Sequence, residues 1–257
     1  MNPSPILLER IAFSGILRLN RPEKLNALSA EMFSLLGEHL TSLKDDPNLR
    51  SIIIIGDGDR AFSAGTDISE LSSADGRAIS ERGQRLCEKV ERFPVPVIAA
   101  INGLAAGGGL ELALACHLRI ATTTATFSLP ETKLGLVPGY GGTQRLVREL
   151  GVGRALEVML TGKTITSDEA LEFGLVNRVV PPDDLLSSAI SLTEEIGRLS
   201  PLSIRSCLKA VIEGLELPLK DGLKLETKLF AALFDTEDAR EGTSAFLEKR
   251  TPVFKGR

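Results

Sequence analysis

The spacing of apolar positions changes along the chain, and each change of period marks an element. From Ile6 to Asn20 apolar and polar residues alternate around a central Ser14-Gly15. That period of two predicts a β-hairpin turning at Ser14-Gly15 and ended by Arg21-Pro22. Ser29 to Leu43 follows a helical period, with Met32, Phe33, Leu36 and Leu40 on one face and Ser29 as N-cap. Ser51-Ile52-Ile53-Ile54-Ile55 does not alternate at all, which predicts a strand buried on both faces. Ala61 to Ile68 reads as a loop leading towards a helix. Ile79 to Arg92 is helical and stops at Phe93-Pro94, and Val97 to Ile101 is a second buried strand.

A glycine turn at Gly107-Gly108-Gly109 then leads into a short helix, Leu110 to His117, followed by strands at Leu118–Ala121 and Thr126–Leu129. Strands alternating with helices predict an α/β fold with mostly right-handed crossovers. Beyond Gly139 helical periods take over, broken by one strand at Asn177–Val180. Leu185–Leu199, Ser203–Gly214, Leu219–Phe234 and Asp238–Lys249 all repeat as helices. With no internal repeat and no flexible linker, these C-terminal helices are expected to pack on the α/β core or on a neighbouring subunit.

Composition narrows the function. A length of 257 residues suits one large domain with an appendage. A net charge of −4 gives no basic face, so nucleic acid is excluded as the default partner. One Tyr and no Trp argue against an aromatic cage or stacking platform. Val97–Ala115 is apolar enough to suggest a membrane span, but its four glycines fit a strand, a turn and a buried helix better. No secretion signal is legible at the N-terminus, so cytoplasmic localisation is expected. Cys87, Cys116 and Cys207 are far apart and show neither ligand nor disulfide spacing; they read as free thiols in a reducing compartment. His39 sits on the amphipathic helix, and His117 ends the short helix, where positive charge suits the dipole. Neither has a triad partner, and no metal site is expected.

Two features carry candidate chemistry. The first is a pair of tight turns, Gly107-Gly108-Gly109 and Ala64-Gly65-Thr66-Asp67. Each leaves a strand towards a helix, where N–H groups lack partners and another group can approach closely. If the turns faced each other, two N–H donors would grip one developing oxyanion. The plain alternative is that the glycines serve close packing only. The spacing is not a dinucleotide fingerprint. The second feature is a pair of carboxylates. Glu111 lies in an almost wholly apolar helix, where a charge is costly to bury unless it is used or paired. An ion pair with Arg119 or Arg145 would explain it equally well. Glu131 follows Pro130 at a strand end, as a catalytic group or a solvated loop charge. Two carboxylates on one water would supply both the base and the acid that alkene hydration needs.

Taken together, several stretches closely resemble the crotonase (enoyl-CoA hydratase/isomerase) family: RPEKLNAL at 21–28, AFSAGTDISEL at 61–71, PVIAAINGLAAGGGLELALACHLRIA at 96–121, FSLPETKLGLVPGYGGTQRL at 127–146, LTGKTITSDEALEFGLVNRVVP at 160–181 and EDAREGTSAFLEKRTPVFKGR at 237–257. The likeness runs in order along essentially the whole chain. It implies a spiral of ββα turns over residues 1–195 carrying the acyl-CoA site, and a helical region over 196–257 for trimerisation and pocket closure. It implies a homo-oligomer, a trimer or a hexamer built of two trimers. The activity implied is hydration of a 2-enoyl-CoA to a 3-hydroxyacyl-CoA, with coenzyme A belonging to the substrate and no separate cofactor.

The resemblance also assigns roles. The N–H groups of Thr66 and Gly108 form the oxyanion hole, Glu111 is mainly the base for water, and Glu131 donates the proton to C2. Ala64, Thr66 and Ile68 match the backbone segment that lines the adenine pocket, Gly107 belongs to the substrate and CoA site, and Lys24 and Lys255 reach for CoA, Lys255 from an adjacent subunit. The chain departs from the family pattern at two places. Ser69 stands where several relatives carry a basic residue that holds CoA phosphate. Tyr140 stands where some hydratases have a small residue, which narrows the acyl end. Another crotonase reaction, such as isomerisation or hydration of a methylglutaconyl-type substrate, is the nearest alternative, and having both glutamates favours hydration. A non-catalytic acyl-CoA-binding or scaffold protein is the alternative from a different class.

Overall fold

The computed structural model describes residues 4–70 and 75–257. Residues 1–3, and Leu71 at the end of the 61–71 motif, lie outside them. The chain opens with β1 (Ile6–Ile11) and β2 (Ser14–Leu19), an antiparallel pair running from Ile6 opposite Leu19 to Ile11 opposite Ser14. The hairpin is present, but its turn is at Ala12-Phe13, with Ala12 at φ 48°, and not at Ser14-Gly15. Both small residues belong to β2. Ser14 Oγ shares a 2.9 Å hydrogen bond with Ser51 Oγ on the next strand, and Gly15 packs under Leu43 and Leu49. Close packing, not reversal, explains them.

Helix α1 (Ala30–Lys44) begins where Ser29 Oγ accepts the Met32 N–H, and it buries Met32, Phe33, Leu36, Leu40 and Leu43. A repeating unit then sets in, one strand for each of two sheets followed by a helix. The units are β3 (Ser51–Gly56), β4 (Ala61–Ser63) and α2 (Gly76–Glu91); then β5 (Val97–Ile101), β6 (Leu104–Ala106) and α3 (Gly108–Ala115). In the third unit, β7 (Leu118–Thr122) and β8 (Thr126–Ser128) lead to a single 3-10 turn at Glu131–Leu134. After it come α4 (Gly142–Leu150), α5 (Val152–Thr161), β9 (Ile165–Thr166), α6 (Ser167–Glu172), β10 (Arg178–Val180), α7 (Leu185–Gly197), α8 (Pro201–Gly214), α9 (Leu219–Phe234) and α10 (Glu237–Glu248).

The larger sheet has the order β1-β2-β3-β5-β7-β10 and is parallel apart from the hairpin. The smaller sheet, β4-β6-β8-β9, is parallel apart from β8 with β9. This is the expected α/β spiral of ββα turns. The isoleucine run of β3 shows why such a strand does not alternate. Ile52 and Ile54 face the main core, with Phe62 and Leu110. Ile53 and Ile55 face a second core sealed by Leu185, Ala189 and Leu192 of α7.

The C-terminal helices are different. Neither α8 nor α9 has a fully buried residue, while Val211, Leu215, Leu223, Phe230 and Phe234 are exposed. No helix among the described residues is long and apolar enough to cross a membrane. The 97–115 stretch is β5, β6 and α3 in succession.

Candidate active site

Strands β4 and β6 run parallel, so their carboxyl ends emerge on the same side, the usual place for a ligand in such sheets. The turn leaving β4 and the turn leaving β6 meet there. Gly65 lies at φ 93°, and a Cβ on it would sit 2.8 Å from the Ala106 carbonyl oxygen and 3.0 Å from the Gly108 nitrogen. Only glycine takes both the conformation and the contact. The three glycines of the second turn are also in close contact, Gly108 with the Tyr140 ring and Gly109 with the Ser63 carbonyl. Close packing is thus one of their roles. It does not account for the N–H groups: no acceptor among the described residues takes the N–H of Thr66 or of Gly108. Gly108 is the first residue of α3, where the helix leaves its N–H groups unpaired.

The first turn is pinned from behind. The Leu28 N–H donates to Gly65 O at 2.7 Å and the Asp67 N–H donates to Leu28 O at 3.0 Å. Asp67 Oδ1 accepts from Ser69 Oγ at 2.7 Å, while Oδ2 accepts from Arg21 Nη2 at 2.9 Å and Lys24 Nζ at 3.3 Å. The Ser69 hydroxyl, then Arg21 and Lys24, hold this carboxyl well below the usual carboxylate range. Ser69 therefore braces the turn through Asp67, at the position where a basic residue would have faced CoA. Arg21 was missed as a site residue. Its signal was only the Arg-Pro pair beside Asn26, a fully buried amide that accepts the Arg21 N–H and donates to the Asp57 and Ala61 carbonyls.

The two glutamates reach the same cavity with opposite surroundings. Glu111 is 2% exposed, yet forms no ion pair with Arg119 or Arg145. Those arginines take Glu149 and Glu91 instead, each at 2.8 Å. Glu111 Oε1 accepts the N–H groups of Tyr140 and Gly142, both at 2.7 Å. Burial pushes this carboxyl above its usual range, and the two backbone donors pull back against it. Glu131 Oε2 is buried and takes no hydrogen bond, and its other oxygen lies against Gly107. Burial, with the Glu111 charge adding to it, lifts Glu131 to about 7. Glu111 is thus equipped to hold a negative charge, and Glu131 to hold a proton near neutrality.

The cavity between these groups has a volume of about 410 Å³. Of the ten residues singled out from the sequence, eight line it: Ala64, Thr66, Ile68, Gly107, Gly108, Glu111, Glu131 and Tyr140. Ile68, Leu134, Leu136 and Val137 form an exposed apolar rim. The remaining two stand apart. Lys24 is half exposed, paired with Asp67, and does not line the cavity. Lys255 is held through its backbone N–H by Asp238 Oδ1 at 2.7 Å, and its side chain borders a separate hollow with Glu241 and Arg250. The cationic role expected for His117 is overturned. Nδ1 accepts the Val97 N–H at 2.8 Å and Nε2 faces the Glu91 carbonyl at 3.0 Å, an arrangement that satisfies the neutral ring, and burial lowers its pKa. Cys87 and Cys116 are buried thiols, and Cys207 is exposed.

Known proteins resemble this chain over nearly its full length. A family model described as enoyl-CoA hydratase/isomerase matches residues 14–257. A crotonyl-CoA hydratase of Syntrophomonas wolfei is 40% identical over 252 residues, covering 97% of each chain. A 2,3-dehydroadipyl-CoA hydratase of Escherichia coli is 41% identical, covering 99% of this chain and 100% of that one. The crystal structure of an enoyl-CoA hydratase from Bacillus anthracis superposes with a TM-score of 0.95 at 40% identity, over 98% of this chain and 100% of the other.

Proposed function

The chain belongs to the enoyl-CoA hydratase/isomerase family, and from that premise we propose how its own residues carry out the hydration of a 2-enoyl-CoA to the 3-hydroxyacyl thioester. It is a hydro-lyase. The observation that carries the mechanism is the asymmetry of the two glutamates beside a pair of unpaired N–H donors. The thioester oxygen sits between the N–H groups of Thr66 and Gly108. Glu111 takes a proton from water as its oxygen bonds to C3. The alkene electrons move onto the thioester oxygen as an enolate, which the two donors stabilise most in the transition state. Glu131 then protonates C2, and the enolate electrons return to form the new C–H bond. No group beyond these side chains and the substrate's own CoA is required.

Lys24 meets the CoA phosphates from beside the Thr66 turn, a reading supported by its half-exposed ammonium next to Asp67. Lys255 does not line the cavity of its own chain, so its contact with CoA requires an adjacent copy. The apolar side chains left uncovered on α8 and α9 support such an assembly, a trimer or a pair of trimers, through residues 196–257. Sedimentation of the full chain at micromolar concentration is expected to give three or six copies; a monomer would end this assignment and that of Lys255. The expected compartment is the cytoplasm. The activity is tested by following the enoyl-thioester ultraviolet absorbance after mixing with crotonyl-CoA. Rapid loss with formation of 3-hydroxybutyryl-CoA is expected. Double-bond migration without water uptake would make the protein an isomerase instead.

A further inference from the structure

One side chain in the cavity is not accounted for by the hydration step. The Tyr140 ring is 3% exposed and is fixed on every side. Its hydroxyl shares a 2.7 Å hydrogen bond with Thr66 Oγ1. Its edge meets the Phe33 ring at 83° with centroids 5.4 Å apart. A methyl group at Gly83 of α2 would overlap the ring, and one at Gly108 would come within 2.7 Å of it. Two glycines on different helices therefore make the space that this ring fills. On one side the ring faces the catalytic cavity. On the other it borders a second hollow of about 390 Å³, reached past Gly141, Arg145 and Leu215. Among the described residues, Tyr140 alone lines both.

We propose that the Tyr140 ring, seated by Gly83 and latched to Thr66, is the fixed end wall of the acyl pocket and confines the enzyme to short-chain 2-enoyl-CoA thioesters. The proposal rests on the hydratase assignment, which supplies the direction in which the acyl group must run. With the carbonyl at Thr66 and Gly108 and the reacting carbons at the glutamates, the chain continues towards residue 140, whose own N–H holds Glu111. To swing aside for a longer chain, the ring would have to break the Thr66 bond and leave the Phe33 contact together. Close-packed interiors do not yield gradually to such a displacement.

The test compares kcat/KM for crotonyl-, 2-hexenoyl- and 2-octenoyl-CoA in the parent, Tyr140→Phe and Tyr140→Ala. The parent is expected to favour crotonyl-CoA over 2-octenoyl-CoA by at least ~10-fold, given the effect of a few methylenes on pocket fit. Tyr140→Phe keeps the ring and should keep that ratio. Tyr140→Ala joins the two hollows and should reverse it. Loss of the Thr66 latch will also lower kcat with every substrate, so the ratio between substrates is what decides. A parent that turns over 2-octenoyl-CoA as well as crotonyl-CoA overturns the proposal, as does an unchanged ratio in Tyr140→Ala or a reversed one in Tyr140→Phe. If Tyr140→Ala does not fold, Tyr140→Leu is judged by the same criterion. If no enoyl-CoA is hydrated, the activity assignment fails separately. The wall is then judged by calorimetric binding of butyryl- and octanoyl-CoA to the same variants, with the same ratios required.

Discussion

Glu111→Gln and Glu131→Gln are each expected to slow crotonyl-CoA hydration by ~10²–10⁴, and for different reasons. In Glu111→Gln the amide cannot take a proton from water, and turning its NH₂ towards Tyr140 and Gly142 would set donor against donor. In Glu131→Gln the proposed proton donor to C2 is lost. The parent should show a bell-shaped pH profile. Activity rises as Glu111 ionises and falls as Glu131 gives up its proton near pH 7. The two limbs belong to the coupled pair. Stability separates the two variants further. Glu131 binds its proton more tightly in the folded state, about 7 against an ordinary 4.5. Its contribution to stability is therefore complete below pH 4.5 and is lost as pH rises through 7. Removing the charge should make Glu131→Gln more stable than the parent at pH 8 by ~1–3 kcal/mol, with no gain at pH 4. Thermal unfolding at both pH values reads this directly, and a variant that is less stable than the parent at pH 8 would show that burial does not set the state of Glu131.

The residues that line the candidate site were legible because they stand out against their neighbours. Glu111 was conspicuous as the one charge in an apolar helix, and the consecutive glycines marked a close approach. The long elements were legible for the same reason. Ser29 capped α1 where a helical period began, and the isoleucines of β3 named a strand buried on both faces. What the chain did not display was set by distant parts of the fold. The smaller sheet consists of strands two or three residues long, too short to carry a period, so β4, within the stretch 61–68 read as a loop, and β6 and β9 were not anticipated. Likewise, nothing local to Glu111 could reveal that its partners are the backbone N–H groups at 140 and 142. The choice between Arg119 and Arg145 as its counter-ion failed because both already had acidic partners elsewhere. Side chains announce themselves in a sequence, but backbone donors do not, and this site is built as much from the second kind as from the first.

Gly65→Ala is expected to remove ~10²–10³ of the rate without touching either glutamate. The added methyl would lie 2.8 Å from the Ala106 oxygen and 3.0 Å from the Gly108 nitrogen, at a φ of 93° that alanine resists. Something must shift, and the braced element is the Thr66 turn, tied to Leu28 on one side and to Arg21 through Asp67 on the other. The methyl therefore forces the turns apart at the point where their N–H groups converge. Backbone strain of ~1–3 kcal/mol should lower stability as well. Strain alone would leave kcat near the parent value in the molecules that remain folded, so the two effects can be told apart. The residual activity should keep the parent pH profile, since the carboxylate pair is intact, while kcat falls. Gly153→Ala is the matching control. Nothing lies within 4 Å of the new methyl on α5, so activity should be unchanged and stability equal or slightly higher. If Gly65→Ala retained full kcat with only a lower melting temperature, the two N–H groups would not be the oxyanion donors, and the polarising group would have to be sought elsewhere in the cavity.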